Sequence, residues 1–154
     1  MHLYLIRHAH ALDGEDDHAR ALSNRGWKQI RTLADFLRAT EAMPVSALWH
    51  SPLVRARETA EGLARGLKLS AQLRETTGLR SEDDPRLVAA RIEALHAPVA
   101  IIGHEPHLSG LVSLLVSGAI EPPVIVMKKC AAVRLDRLDH GWAVRWHVSP
   151  ELLG

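Results

Sequence analysis

Three short stretches of this chain carry side chains suited to an anion. Arg7-His8 lies near the start, Arg55 follows Ser51-Pro52 in mid-chain, and His104 follows Gly103. Arginine presents a planar fork that matches phosphate oxygens. A neutral imidazole is a competent nucleophile at phosphorus near neutral pH, and a covalent intermediate divides one hard displacement into two easier ones. Gathered in one place, these groups form a pocket for a dianion, phosphate foremost. His8 is then the attacking group and Arg7 and Arg55 are clamps. His104 is a protonated partner that stabilises equatorial negative charge. The other ring nitrogen of His8 needs an acceptor to fix its tautomer, and a backbone carbonyl is the expected one.

Each stretch follows an apolar run. Leu3-Tyr4-Leu5-Ile6 precedes Arg7, Val45–Trp49 precedes Ser51, and Pro98-Val99-Ala100-Ile101-Ile102-Gly103 leads into His104. Short unbroken apolar runs predict strands buried on both faces of a parallel sheet. In open α/β sheets the carboxyl ends of such strands border the ligand crevice. Helices are predicted between them. Ser23 or Asn24 caps one with Trp27, Ile30, Leu33, Ala34 and Leu37 inward. Ser51-Pro52 and Asp84-Pro85 each read as a cap followed by a first-turn proline. Helix N-termini at the crevice add unpaired N–H donors, and Arg55 falls in a first turn. Leu69–Leu73 is a weaker strand candidate. After Pro122-Pro123 the pattern becomes alternating: Trp142, Val144, Trp146 and Val148 lie opposite Ala143, Arg145 and His147. With the turn Asp139-His140-Gly141, this predicts an antiparallel hairpin packed on one face, with Trp142 and Trp146 sharing that face. The resulting class is α/β: a three-layer αβα sandwich, mostly parallel sheet with late antiparallel strands, as one domain over 1–154.

Composition narrows the functions. With 47% hydrophobic and 24% charged residues, the chain of 154 residues reads as globular rather than disordered. A formal net charge of +1 gives no general attraction to nucleic acid or membrane. Cys130 is the only cysteine, so no intrachain disulfide can form and a reducing cytoplasm is the expected setting. The apolar start is broken by Arg7, too early for a signal-peptide core or a membrane span. His8-x-His10 and His104-x-x-His107 have ligand-like spacing for zinc. Only Asp13 lies near as a carboxylate, however, and the arginines repel a cation, so no metal and no cofactor are expected. Lys128 and Lys129 read as a solvated loop, Glu105 as a first-turn helix carboxylate, Ser51 most simply as an N-cap, with a supporting role behind the site as the alternative, and Cys130 as a small buried hydrophobe.

Arg7-His8, the segment Ser51-Pro52-Leu53-Val54-Arg55-Ala56-Arg57-Glu58-Thr59-Ala60, and Gly103-His104-Glu105-Pro106 occur in an order that resembles the histidine phosphatase superfamily. The short length, Ala21-Leu22-Ser23-Asn24-Arg25-Gly26 and Met127-Lys128-Lys129-Cys130 are similar to its SixA branch. That branch comprises phosphohistidine phosphatases acting on histidine-containing phosphotransfer domains. The resemblance implies that His8 is the phospho-acceptor, that Arg7 and Arg55 bind phosphate, and that His104 completes the pocket. Ala9 departs from the family motif, where glycine is usual; alanine requires an ordinary backbone conformation there. Larger members also use a carboxylic acid to protonate the leaving group. Glu75, Glu82 and Asp83 lie in the corresponding region, with no motif to select among them. A phosphoramidate depends less on such an acid, because its imidazole leaves readily once protonated. The expected function is a metal-independent phosphatase acting through phospho-His8 on a phosphorylated histidine-containing phosphotransfer protein. A small-molecule phosphomonoesterase of the same fold, a zinc hydrolase and a non-catalytic phosphoprotein-binding domain are the alternatives. Chelation and turnover by a His8 variant discriminate among them.

Overall fold

The apolar start of the chain becomes β1 (His2–Arg7), an interior strand of a six-stranded sheet ordered β3-β2-β4-β1-β5-β6. A computed structural model describes residues 1–41 and 43–154. β2 (Ala47–His50), β3 (Gln72–Glu75) and β4 (Val99–Gly103) run parallel to β1. β5 (Ala132–Leu138) and β6 (Gly141–Val148) add an antiparallel hairpin on one side. The fold is therefore the mostly parallel α/β sandwich anticipated from the apolar runs. In register, Arg7 lies opposite Gly103, and His50 opposite both Ile102 and Glu75. The carboxyl ends of all four parallel strands thus share one edge.

Alternate residues of β1 feed two cores. Leu3 and Leu5 join Val88 and Ile92 of α3 (Pro85–Glu93) and Leu108, Leu111 and Val112 of α4 (His107–Ser117). Tyr4 and Ile6 face the other way. They meet Ile30, Leu33 and Leu37 of α1 (Asn24–Thr40) and Ala56, Ala60 and Leu63 of α2 (Val54–Gly66). A strand buried on both faces needs no polar alternation, which is why its sequence shows none.

Glycine matters at one place beside the site. A Cβ on Gly26 would lie 2.1 Å from the carbonyl oxygen of His10, so only glycine lets α1 enter this close to the loop after β1. Ser23 caps α1, its hydroxyl accepting from the Gly26 N–H at 3.1 Å.

Three local expectations fail, each for a physical reason. Ser51 does not cap α2: the helix begins at Val54 with Leu53 as N-cap and no side-chain cap bond. Its hydroxyl is instead taken up by His104. β3 starts later than the apolar run at Leu69, because the Leu69 N–H closes the end of α2 on the Ala64 carbonyl. Trp142 and Trp146 do not share a face. The β5–β6 register shifts between Arg134 and Leu135, and a bulge of one residue inverts the alternation beyond it. Trp142 packs into the α3/α4 core, whereas Trp146 packs against the α1/α2 core.

Candidate active site

The end of β1 passes directly into the site. The His8 N–H donates to the Gly103 carbonyl at 2.9 Å, fixing the residue against the end of β4. Arg7 donates its backbone N–H to Ala131, and the Cys130 N–H reaches the carbonyls of Arg7 and His8, at 3.1 Å in each case. Cys130 is wholly buried with φ of 60°, so its role here is backbone geometry beneath the histidine. Ala9 adopts no left-handed conformation; its methyl is buried in the α1/α2 core. Alanine therefore fits where the family motif has glycine. The Ala9 N–H donates to Thr59 Oγ1 at 3.0 Å, and that hydroxyl donates to the Arg55 carbonyl at 2.7 Å. One threonine on α2 thus ties the Arg55 turn to the His8 loop.

His8 and His104 face one another, with ring centroids 5.1 Å apart and planes inclined by 50°. His8 Nδ1 lies 2.7 Å from the Ala9 carbonyl oxygen, which can only accept, so Nδ1 carries the proton and Nε2 keeps its lone pair. Burial first, then the positive fields of His104, Arg55 and Arg7, lower the His8 pKa to about 3 against the favourable pull of the Ala9 carbonyl. His8 is accordingly neutral at physiological pH. His104 Nε2 lies 2.5 Å from Ser51 Oγ, which accepts the Leu53 N–H at 3.3 Å and is free to donate its own hydrogen to Nε2, leaving the single imidazole proton on Nδ1. Its own pKa is lowered to about 4, by burial and then by Arg55 and His107. Burial beside Arg55 thus disfavours a proton on His104 by itself; the protonated form is expected beside a phosphoryl dianion, whose charge acts in the opposite sense. Removing an imidazolium from water beside an arginine costs more than distant carboxylates return.

The arginines arrive from different elements. Arg7 extends from β1 and donates from Nη1 to the Met127 carbonyl at 2.8 Å. Glu105 in turn accepts the Met127 N–H at 3.2 Å and the Ser109 N–H at 2.8 Å, so it braces the loop that holds Arg7. Arg55, in the first turn of α2, donates to the Asp17 carbonyl at 2.8 Å and its carboxylate at 3.3 Å. Several donors remain unused: among the described residues, Arg7 Nε, Arg55 Nε and His104 Nδ1 are all buried without a hydrogen-bond partner. Buried donors left unpaired are costly, and such a cluster fits an absent acceptor with several oxygens.

Arg7, His8, Arg55 and His104 thus converge as their strand ends predicted. The acid candidates do not. Glu75 is exposed at the end of the edge strand β3, three strand spacings or about 14 Å across the sheet from β1. Glu82 is exposed at the mouth, in a cavity wall shared with Asp16, Asp17 and Leu53, close enough that its charge acts on His104. Asp83 accepts the Arg80 N–H at 2.8 Å. The metal spacings also dissolve. His10 Nδ1 pairs with Ser23 Oγ at 2.6 Å, and His107 lines a separate cavity beside Pro85 and Ile120. Among the described residues, no three His, Cys, Asp or Glu side chains come together in a way that could hold a metal ion.

Sequence reasoning missed Asp17, Thr59 and Glu105 as supports of the site, whereas the supporting role read for Ser51 is the one its contact with His104 fits. Asp17 sat unmarked in the acidic run Glu15-Asp16-Asp17, and only the proximity of Glu105 to Gly103-His104 could have drawn attention to it.

A neutral imidazole among buried cationic donors, at the carboxyl edge of a parallel sheet, is an arrangement suited to receiving a phosphoryl group. The model of the histidine phosphatase superfamily (branch 1) matches residues 3–82, and this chain belongs to that superfamily. It is a phosphatase. An Escherichia coli (strain K12) protein, phosphohistidine phosphatase SixA, is 30% identical over 155 residues, covering 97% of this chain and 94% of that one. A structure of the protein histidine phosphatase SixA complexed with tungstate superposes with a TM-score of 0.90 at 28% identity, covering both chains in full. The alpha-ribazole phosphatase of Shigella flexneri shares the fold, with a TM-score of 0.77 at 17% identity over 97% of each chain.

Proposed function

We propose that residues 1–154 act as one domain, a metal-independent phosphatase that passes the phosphoryl group through His8 and takes phosphohistidine on a histidine-containing phosphotransfer protein as substrate. The observation that carries this reading is the bond between His8 Nδ1 and the Ala9 carbonyl, which leaves Nε2 unprotonated between cationic groups. In the first step Nε2 forms a bond to phosphorus as the P–N bond to the substrate imidazole breaks, and the departing nitrogen takes a proton. In the second, a water oxygen attacks phospho-His8, the P–Nε2 bond breaks, and inorganic phosphate leaves a neutral His8. Arg7, Arg55 and the free Nδ1 of His104 receive the equatorial oxygens, whose negative charge also favours a proton on His104 once substrate is bound.

Phosphohistidine is favoured over a phosphomonoester by what flanks the nucleophile. None of the buried polar side chains among the described residues is a carboxylic acid; Asp17 and Glu82 are exposed at the mouth, and the half-buried Glu105 is occupied by the Ser109 and Met127 N–H groups. An alkoxide leaves poorly without a placed acid, whereas an imidazole protonated from solvent leaves well. The similarity to SixA points the same way, and tungstate, bound in its solved structure, is a tetrahedral oxyanion like phosphate. The single free cysteine, wholly buried, suits a reducing cytoplasm.

Rapid quenching with labelled substrate tests the mechanism: acid-labile, base-stable label on His8 is expected, and turnover with no label on His8 overturns it. Substrate class is tested by kcat/KM for a phosphorylated phosphotransfer domain against an aryl phosphate, with the protein substrate expected to win. Activity is expected to survive exhaustive EDTA treatment.

A further inference from the structure

Beyond the phosphate pocket, on the side of Arg7 away from the acidic mouth, lies a second cavity of about 230 Å³. It is lined by Arg7, Arg25, Gln29, Lys128, Lys129 and Ser149, with Glu151 as its only carboxylate. The loop Met127–Cys130, read from the sequence as solvated, is therefore one wall of a cationic recess. Lys129 is half-buried, and burial together with Arg7, Arg20 and Arg25 pushes its pKa down. Among the described residues, Arg25, Lys128 and Lys129 have no carboxylate within salt-bridge distance. Two further donors are open. Among the described residues the hydroxyl of Ser149, which is 5% exposed, has no partner, and Gln29 uses only its carbonyl oxygen, on the His10 N–H, leaving its amide NH₂. Like charges crowded around a buried unpartnered hydroxyl are mutually destabilising unless an anion enters.

The opposite wall of the mouth has the reverse character. It carries Asp16, Asp17 and Glu82, offset by Arg80 and His18. The phosphate pocket thus lies between a cationic recess and an acidic rim.

We propose that the recess is a second anion subsite, which takes a carboxylate side chain of the substrate polypeptide next to its phosphohistidine. Arg7 borders both the recess and the phosphate pocket, so the two anions stand within a few residues of extended chain. The subsite selects acidic sequence on one side of the phosphohistidine and sets the direction in which the polypeptide crosses the mouth. The inference rests on the reading of the substrate as a phosphorylated protein.

Two phosphohistidine peptides test it, identical except for glutamate or glutamine at the two positions on either side of the phosphohistidine. At low ionic strength the glutamate peptide should be turned over with a kcat/KM about tenfold higher. That ratio should fall toward one in ~1 M salt, where charges are screened within about 3 Å. It should also fall to about one in the Lys128→Ala/Lys129→Ala double variant, and Lys129→Glu should reverse it. Equal turnover of both peptides by the unaltered protein overturns the subsite while leaving the phosphohistidine reading intact. So does a ratio that persists in the double variant. Hydrolysis of an aryl phosphate but of neither peptide overturns the phosphohistidine reading. In that event the subsite is read from inhibition of aryl phosphate turnover by the unphosphorylated peptides. The glutamate form should inhibit at least about fivefold more strongly, in the unaltered protein alone; equal inhibition overturns the proposal.

Discussion

The two ends of β1 are both rich in charge and opposite in how that charge is satisfied. At the start of the strand, His2 Nδ1 meets Asp136 at 2.9 Å, and Arg134 reaches Asp136 at 2.8 Å and both Glu41 oxygens at 2.9 Å. Glu41 also accepts from Tyr4 at 3.0 Å and Trp146 at 2.9 Å. Every group there has a partner, and the cluster joins the end of α1 to the hairpin. At the other end, five residues along the chain, Arg7, Arg55 and His104 each keep a buried nitrogen with no partner among the described residues. A satisfied network stabilises a fold and leaves nothing for a ligand, whereas an unsatisfied one costs stability and is retained where it binds.

The sharpest way to break this comparison is His8→Ala. Turnover should fall at least roughly a thousandfold, because the variant lacks the nitrogen proposed to carry the phosphoryl group. Chemical denaturation should show the variant as stable as the parent to within about 1 kcal/mol.

Acid should act on the same end. The folded pKa values of His8 and His104, about 3 and about 4, lie below the unfolded value near 6.5. Between those limits the unfolded chain binds more protons, so stability rises with pH through the window and is lost on acidification. At pH 5 each histidine should have cost about 2 kcal/mol relative to pH 7. His8→Gln should recover its share, as measured by urea denaturation at both pH values. An equal loss in parent and variant would place the acid sensitivity elsewhere.

At the satisfied end, Glu41→Ala removes the acceptor of Tyr4, Trp146 and Arg134 together. Stability should drop by about 2 kcal/mol, discounted for partial exposure, with kcat/KM changed less than about twofold. Arg55→Ala and His104→Ala give the smallest expected effects. Each should lower kcat/KM at least about tenfold, or about 1.4 kcal/mol of transition-state stabilisation. If either matched Glu41→Ala in stability loss and not in activity, the distinction between the two ends would fail.

The residues of the site were legible because strand-end chemistry is local. Arg7-His8 and Gly103-His104 directly follow buried apolar runs, and parallel strands bring their carboxyl ends to one edge whatever their order. Ser51 was misread as a cap for the opposite reason. A serine before a proline looks like a cap from its neighbours alone, and its partner His104 comes from another strand. The same holds for Trp142 and Trp146, which a bulge separates onto two faces, and for Lys128 and Lys129, which look solvated until Arg7 and Arg25 are seen beside them.

By itself, then, the sequence determined the α/β class, the two-sided burial of β1 and the four side chains that meet at the crevice. These depend on periodicity and on the sense of the strands. Only the tertiary structure decided the charge state of His104, the removal of Glu75 to the sheet edge, the hold of Asp17 on Arg55 and the cationic recess beyond Arg7. Those depend on burial and on distances between residues far apart in the chain, and pKa and hydrogen bonding respond to angstroms that no pattern of residue types specifies.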